Sequence, residues 1–343
     1  MQLLQHITVT EFAGAVPARY AGRLLADLGA VVRFNDDRGS LRTDELLSKY
    51  LSANKVEASV PRLLSRSEIE QAVSSSDVVL VDDEFRGASL ELILAVARAI
   101  PGRVVLYASA YGLDSPNGHL CADELFLASL SGIASVTPEG FADRNAERPM
   151  QLYGNQASLL GGLTAAVAVL QAIRTARRTR VTQFIDFSVL DALNSVPVIS
   201  QAAGFSGAAL PEPPSERPES VPRGFQRCKD GWIYTQGGDD NWPSWAALIG
   251  HGEWRDPPWS EPSYRQQLWG TIQAELADWL SARSAVDVYR ACQGLGITAF
   301  PVNSTSQVLN NAQIQERELV ESFQAFDGTM IRGPRTPIRI YQD

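Results

Sequence analysis

In the first half of the chain, two spacings of apolar positions alternate. Short apolar runs predict strands, and longer runs with apolar residues three or four apart predict helices. Gly29 is placed to end the first helix. This alternation is typical of βαβ units, so we expect a parallel sheet with helices on both faces. The predicted strands cover residues 7–12, 31–36, 76–83 and 102–112, and the predicted helices cover 18–30 and 88–100.

In the second half of the chain, a polar segment separates two groups of predicted helices and strands. Residues 159–193 predict a long helix, a strand and a second helix, whereas 205–224 are rich in Pro, Gly, Ser and Glu and predict a linker. Strand and helix patterns that carry tryptophan follow and predict a smaller α/β domain. We expect a large Rossmann-like domain at 1–204, the linker at 205–224, the small domain at 225–310 and a C-terminal segment at 311–343 that returns to the large domain.

Composition narrows the range of functions. With 343 residues, 45% of them hydrophobic and 20% charged, the chain resembles ordinary globular proteins. Its net charge of −9 argues against a partner that is nucleic acid or an anionic membrane. The three cysteines, Cys121, Cys228 and Cys292, are far apart and form no CxxC pair, so we expect neither a disulfide framework nor a metal site.

The sequence predicts no segment that would direct the chain to a membrane. Its first residues lack the pattern of a signal peptide, and the apolar "LLGGLTAAVAVLQAI" is too short and too closely flanked by arginine to span a bilayer. We therefore expect a cytoplasmic protein. A dinucleotide-binding GxGxxG is also missing after the first strand, where "EFAGAVPAR" stands instead.

Several sequence blocks follow one another in a specific order along the chain. The block nearest the start is "FAGAVPARYAGRLLADLGAVVRF". It is followed by "SDVVLVDDEFRGAS", "VVLYASAYGLDSPNG", "ADELFLASLSGI", "TQFIDFSVLDAL", "DGWIYT", "GITAFPVNSTSQVLNNAQIQER" and "GPRTPIRI". Together these blocks cover most of the chain, and their joint order resembles family III of the CoA-transferases, also called the CaiB/BaiF family.

The resemblance implies an enzyme that moves CoA between carboxylic acids, with CoA and acyl-CoA as substrates and no metal. It implies a Rossmann-like large domain that binds CoA, a smaller domain and a dimer of two interlocked chains. In the family an aspartate forms a mixed anhydride and then an aspartyl-CoA thioester, which divides one difficult acyl exchange into easier steps. One branch instead moves a proton at the α-carbon of a 2-methylacyl-CoA with a His and an Asp.

The resemblance places Ser158, in "GNQASLLGG", where the family has its catalytic aspartate, four residues before Gly162. A serine has no carboxylate that could be acylated and exchanged, and as a nucleophile it needs a nearby base. No acidic residue lies between Glu147 and Asp186. Two interpretations stay open: Ser158 caps the helix with its hydroxyl or binds passively, or it acts in covalent catalysis.

The family's Gly-His-Asp at the next helix corresponds to Ala122, Asp123 and Glu124, so the histidine is absent. A glutamate can act as a base if burial raises its pKa. A solvated acid at a helix N-terminus is the alternative. The candidate catalytic residues are thus Ser158, Glu124 and Asp123.

Five further residues correspond to CoA contacts in the family. Val16 and Ala18 fall in the turn whose backbone contacts the adenine end. Arg38 follows the second strand, where relatives place a basic residue on the CoA phosphates; an ion pair with a neighbouring aspartate is the alternative. Phe85 and Arg86 match a Phe-Arg pair that lines the CoA cleft.

Three functions remain open from the sequence. The chain is a CoA-transferase in which another acid performs the chemistry, or it is a non-catalytic or repurposed subunit that pairs with an aspartate-bearing paralogue. The third is an epimerase-type reaction on an acyl-CoA that uses Glu124. The first and third are compatible with a homodimer, whereas the second requires a heterodimer.

Overall fold

The computed structural model describes residues 3–34, 45–57, 65–85, 87–120, 122–136, 153–196, 206–207, 222–325 and 327–338. The chain divides into two compact units. The first contains Met1–Ala134, Gln151–Val198 and Gln315–Asp343, and the second contains Ser135–Met150 and Ile199–Ile314.

A six-stranded sheet forms the centre of the first unit. Its order is β3-β2-β1-β4-β5-β6, and every neighbouring pair is parallel. The predicted parallel sheet of a Rossmann-like fold is therefore confirmed. The strands are β1 Thr8–Phe12, β2 Val31–Phe34, β3 Val56–Glu57, β4 Val78–Asp82, β5 Val104–Ser109 and β6 Gln183–Ser188.

Helices cover both faces of this sheet. Helices α1 and α7 pack on one face, and α3 and α4 pack on the other. Helix α1 ends as predicted, because Gly29 follows it with φ of 99°. The helices as far as residue 194 are α1 Val16–Asp27, α2 Glu45–Ser52, α3 Arg66–Ser74, α4 Ala88–Arg98, α5 Glu124–Leu130, α6 Ile133–Val136, α7 Gln156–Thr179 and α8 Val189–Asn194.

The central strand β4 explains why the sequence shows an unbroken apolar run rather than an alternation. Val78 and Leu80 join the core cluster on the α1 and α7 side. Val79 and Val81 join the cluster on the α3 and α4 side. Because successive side chains of a strand point to opposite faces and both faces are covered, all four positions are apolar.

Helices α1 and α7 approach each other very closely. A Cβ atom at Gly162 of α7 would lie 2.6 Å from the carbonyl oxygen of Pro17 in α1. A Cβ at Gly161 would lie 3.0 Å from the side chain of Val189, the first residue of α8. The two glycines therefore let the start of α7 contact the starts of two other helices.

Helix α7 is longer than the apolar segment that the sequence indicated. With 24 residues it is long and apolar enough to cross a membrane by length and composition alone. The expectation that this segment is too short was therefore wrong. Its buried residues, such as Ala165, Val169 and Ile173, belong to the core cluster around the sheet, which is the packing of a core helix.

A C-terminal hairpin, β10 Val320–Gln324 and β11 Met330–Pro334, completes the first unit. Phe323 and Ile331 form a small cluster with residues of the α2 region. The guanidinium of Arg23 lies 4.1 Å from the centre of the Phe323 ring and 5.0 Å from that of Tyr50. The hairpin is thus held to the unit by aromatic and cation–π contacts.

The second unit combines a three-stranded antiparallel sheet with helices. Its strands are β7 Arg223–Arg227, β8 Trp232–Gln236 and β9 Thr298–Val302, in the order β7-β8-β9. Trp242, Trp245 and Trp254 are buried in its core. The helices are α9 Trp242–Ile249, α10 Pro262–Gln267, α11 Trp269–Ser281, α12 Ala285–Gly294, α13 Thr305–Leu309 and, at the boundary with the first unit, α14 Ala312–Glu316.

Candidate functional site

The strand order of the first unit indicates where a ligand binds. In open parallel sheets of this order, ligands bind beyond the carboxyl ends of the strands, near the point where the order reverses. Here that point lies between β1 and β4. A ligand site is therefore expected among the residues that follow these two strands and at the helix starts beside them.

A carboxylate already occupies the turn after β1. Asp82, the last residue of β4, is 1% exposed. Its Oδ2 atom accepts hydrogen bonds of 2.7 Å from the backbone N–H groups of Gly14 and Ala15. A dinucleotide pyrophosphate would need these same donors, so the turn is built to hold an internal anion. Asp82 was not among the predicted site residues, although an acid at the end of an apolar strand was the available signal.

The start of α7 is capped by a side chain from another helix. Glu124, the first residue of α5, accepts a hydrogen bond from the backbone N–H of Ala157 through Oε2 and another from that of Ser158 through Oε1, each of 2.9 Å. These N–H groups belong to the first turn of α7 and have no partner within the helix. Glu124 is half-buried, and the two hydrogen bonds fix its carboxylate against α7.

The structure contradicts the interpretation of Ser158 as a helix cap. Helix α7 begins at Gln156, so Ser158 lies inside its first turn, and the cap is Asn155, whose side chain makes no capping bond. Within the described part of the chain the Ser158 hydroxyl has no hydrogen-bond partner. The capping role belongs instead to Glu124, which is 34 residues away in sequence.

Asp123 has a local structural role. It is the N-cap of α5, and its side chain accepts a 3.0 Å hydrogen bond from the backbone N–H of Phe126. The neighbouring acids Asp123 and Glu124 therefore cap two different helices. Of the three candidate catalytic residues, the structure brings Glu124 and Ser158 into direct contact through the Ser158 backbone.

The loop after β5 lies at the same end of the sheet and is fixed by two side chains. The hydroxyl of Ser109 accepts a hydrogen bond of 2.8 Å from the N–H of Gly112. The carboxylate of Asp186, on β6, accepts from the N–H of Leu113 at 3.0 and 3.1 Å. These bonds hold the "ASAYGL" loop at the carboxyl end of β5.

The structure places part of the residues predicted to contact CoA. Val16 and Ala18 lie in the first turn of α1 rather than in a turn before it, because the helix begins at Val16 and Pro17 has a φ already suited to a helix start. Both are buried, with exposures of 7% and 0%. Arg38 and Arg86 fall outside the described residues. The ring of Phe85 lies 5.4 Å from that of Phe12.

A second group of charged side chains is buried beside α1. Lys55 Nζ lies 2.7 Å from Glu11 Oε2 and donates to the carbonyl oxygen of Arg19 at 2.8 Å. A Cβ at Gly22 would overlap the Glu11 carboxylate at 2.0 Å, so this glycine makes room for it. Burial lowers the pKa of Lys55 to about 8 and raises that of Glu11, although each charge opposes the shift of the other.

Cysteine and metal chemistry find little support in the described residues. Cys228 and Cys292 are free and buried in the second unit, and burial raises the pKa of Cys292 to about 12, which disfavours the reactive thiolate. Cys121 lies outside the described residues. Among the residues that the structure describes, no three His, Cys, Asp or Glu side chains are grouped to hold a metal ion.

Comparisons with known proteins agree on one family. The sequence model of CoA-transferase family III matches residues 4–342. The chain is 24% identical over 375 residues to a succinate–glutarate CoA-transferase of Agrobacterium fabrum, covering 99% of this chain and 90% of that protein. It is also 24% identical over 349 residues to a probable fatty acyl-CoA transferase of Mycobacterium tuberculosis, with coverages of 92% and 86%.

A solved structure has the same fold. A CaiB/BaiF family protein from Brucella suis has a TM-score of 0.82 to this chain at 20% identity, covering 97% of this chain and 91% of that one. The match of the family model over residues 4–342 decides the family. This chain belongs to family III of the CoA-transferases.

Proposed function

We propose that this chain is an enzyme that transfers CoA from an acyl-CoA to a free carboxylic acid. One observation carries the proposal: the N-terminal ends of α5, α8 and α1 all contact the first two turns of α7. Glu124 of α5 bonds to Ala157 and Ser158 there, and the close contacts of Gly161 and Gly162 bring in α8 and α1. This cluster lies beside the carboxyl ends of the strands, where such folds bind ligands.

The chemistry of CoA transfer needs a carboxylate that can carry an acyl group. Ser158, at the position that the resemblance assigns to the family's aspartate, cannot supply one. Transfer by this chain therefore requires another acid. Val16, Ala18, Arg38, Phe85 and Arg86 stay our candidates for CoA contacts, with no metal required.

The relatives suggest which substrates to test first. The Agrobacterium relative is named for succinate and glutarate, and the mycobacterial relative for fatty acyl-CoA. Dicarboxylic acids and fatty acids, with their CoA thioesters, are accordingly the first donors and acceptors. We also propose that the enzyme works in the cytoplasm.

We also propose that the working form is a homodimer. Helices α5 and α7 expose five large apolar side chains, each between 48% and 60% exposed in the single chain: Leu125, Phe126, Leu130, Leu163 and Val167. Apolar exposure of this kind, close to the candidate site, fits coverage by a second copy. Light scattering of the purified chain should give the mass of two copies, and a monomer at micromolar concentration contradicts this.

An assay of CoA exchange tests the function. The purified chain is incubated with succinyl-CoA and a panel of dicarboxylic, short-chain and fatty acids, and each thioester is quantified by mass spectrometry. We expect the thioester of an acceptor acid to form while succinate is released in equal amount. Absence of exchange over the whole panel contradicts the proposal.

The replacement at Ser158 favours one competing function, a subunit that needs an aspartate-bearing paralogue. That alternative predicts exchange only when both chains are mixed. Exchange by this chain alone excludes it.

A further inference from the structure

We propose that Glu124 is the catalytic nucleophile, the carboxylate that carries the acyl group and then CoA in this chain. This assignment rests on the proposed CoA transfer. It moves the reacting carboxylate from α7, where the resemblance places it, to the first residue of α5.

Position supports the assignment. The two oxygens of Glu124 lie 2.9 Å from the backbone nitrogens of Ala157 and Ser158. The carboxylate therefore lies against the turn of α7 where an acid at position 158 would begin. Glu124 is half-buried rather than enclosed in the core.

The hydrogen bonds of Glu124 suit each stage of the reaction. While the side chain is a carboxylate, the two N–H groups orient it. Once it is acylated, one N–H remains directed at the glutamyl carbonyl oxygen, where negative charge develops when a nucleophile attacks. Backbone donors directed at such an oxygen stabilise that charge, and the two N–H groups already lie 2.9 Å from the oxygens of the resting carboxylate.

Among the residues that the structure describes, three other acids at this end of the sheet hold local structure. Asp82 is 1% exposed and holds the turn after β1. Asp123 caps α5, and Asp186 holds the loop after β5. Ser158 has a hydroxyl but no carboxylate, so an ester on it could not exchange acids as an anhydride does.

The reaction balances with Glu124 in this role. An oxygen of its carboxylate attacks the thioester carbonyl, the C–S bond breaks with its electron pair on sulfur, and a mixed anhydride and CoA thiolate result. The thiolate attacks the glutamyl carbonyl and releases the donor acid, which leaves a glutamyl-CoA thioester. The acceptor carboxylate attacks the carbonyl of this thioester, the C–S bond breaks to release the thiolate, and a second mixed anhydride forms. The thiolate then attacks the acceptor carbonyl of that anhydride, which yields the acceptor's CoA thioester and frees the Glu124 carboxylate.

Trapping locates the nucleophile directly. The wild-type chain is mixed with succinyl-CoA and hydroxylamine, which converts an anhydride or thioester of a side chain into a hydroxamate, and peptides are sequenced by mass spectrometry. We expect a hydroxamate on Glu124 that requires succinyl-CoA. In a chain that exchanges CoA, a hydroxamate on another acid or an adduct on Ser158 overturns the assignment and leaves the proposed function standing. Absence of both exchange and adduct overturns both.

Variants supply a second readout. Glu124→Gln keeps the shape and one acceptor oxygen but removes the nucleophile, so exchange should fall about 10⁴-fold or more. Glu124→Asp keeps a carboxylate on a shorter side chain and should retain measurable exchange. The matched control is Glu91→Gln, an exposed acid of α4, which should leave the rate unchanged. Exchange by folded Glu124→Gln within about tenfold of wild type contradicts the assignment.

Discussion

The carboxylate of Glu124 lies 2.9 Å from the backbone nitrogen of Ser158. One residue opens α5 and the other lies in the first turn of α7, so the contact joins two helix starts at the carboxyl end of the sheet. The resemblance assigns position 158 to the family's aspartate. This chain has a serine there, but the Glu124 carboxylate lies beside it.

Capping of α7 by Glu124 should contribute to stability independently of any chemistry. Glu124→Ala removes the acceptor of two first-turn N–H groups and should lower the free energy of unfolding by about 1–2 kcal/mol. Glu124→Gln, which keeps an acceptor, should cost less. Urea denaturation of the two variants checks this order, and equal stabilities for wild type and alanine variant would show that the cap is unimportant.

Close packing of α7 on α1 should make Gly162 intolerant of a side chain. Gly162→Ala puts a methyl group 2.6 Å from the Pro17 oxygen and 2.9 Å from the Tyr20 Cβ, so the helices must separate. We expect a loss of about 1–3 kcal/mol in urea denaturation. Gly270→Ala, in helix α11 with open space around the position, is the control and should be neutral or slightly stabilising.

The buried pair of Glu11 and Lys55 should behave as a unit. Lys55→Met leaves the Glu11 carboxylate buried with Arg19 at 3.8 Å as its nearest remaining cation, and should cost about 3 kcal/mol of unfolding free energy. The double variant Glu11→Gln with Lys55→Met should recover part of that loss, because the carboxylate that lost its ammonium partner is removed as well. A double variant that loses the sum of the two single effects would contradict this coupling.

His251 should give the second unit a pH-dependent stability. Its Nδ1 lies 3.0 Å from Glu253 and its Nε2 lies 3.3 Å from Glu275, and these hydrogen bonds raise the pKa of His251 above 6.5. The folded state then binds the proton more tightly than the unfolded state. This contribution is fully present below pH 6.5 and is lost as pH rises through the folded-state pKa.

Titration of the His251 ring by NMR should therefore give a midpoint above 6.5. Glu275→Gln should move the midpoint downward, because it removes one of the two carboxylates. A midpoint at or below 6.5 in the wild type would show that these contacts do not form in solution.

Much of the first unit could be predicted from local pattern. The apolar runs around Val78–Asp82 and Val104–Ser109 correspond to buried strands, and Gly29 ends α1, because strand burial and helix termination depend on neighbouring residues. The contacts of the candidate site could not be predicted in the same way. Glu124 meets Ser158, and Asp82 meets Gly14, only once the sheet brings distant segments together, and sequence spacing does not contain that information.

The most direct test of this account follows the oxygen atoms of Glu124. Succinate labelled with ¹⁸O in its carboxylates is incubated with succinyl-CoA and the wild-type chain, and the peptide that contains Glu124 is examined by mass spectrometry. Each exchange cycle through a glutamyl anhydride leaves one substrate oxygen on the enzyme, so we predict that ¹⁸O accumulates in Glu124 and stays absent from the Glu124→Gln variant. CoA exchange without ¹⁸O in Glu124, or with ¹⁸O in another acidic residue, would contradict the account.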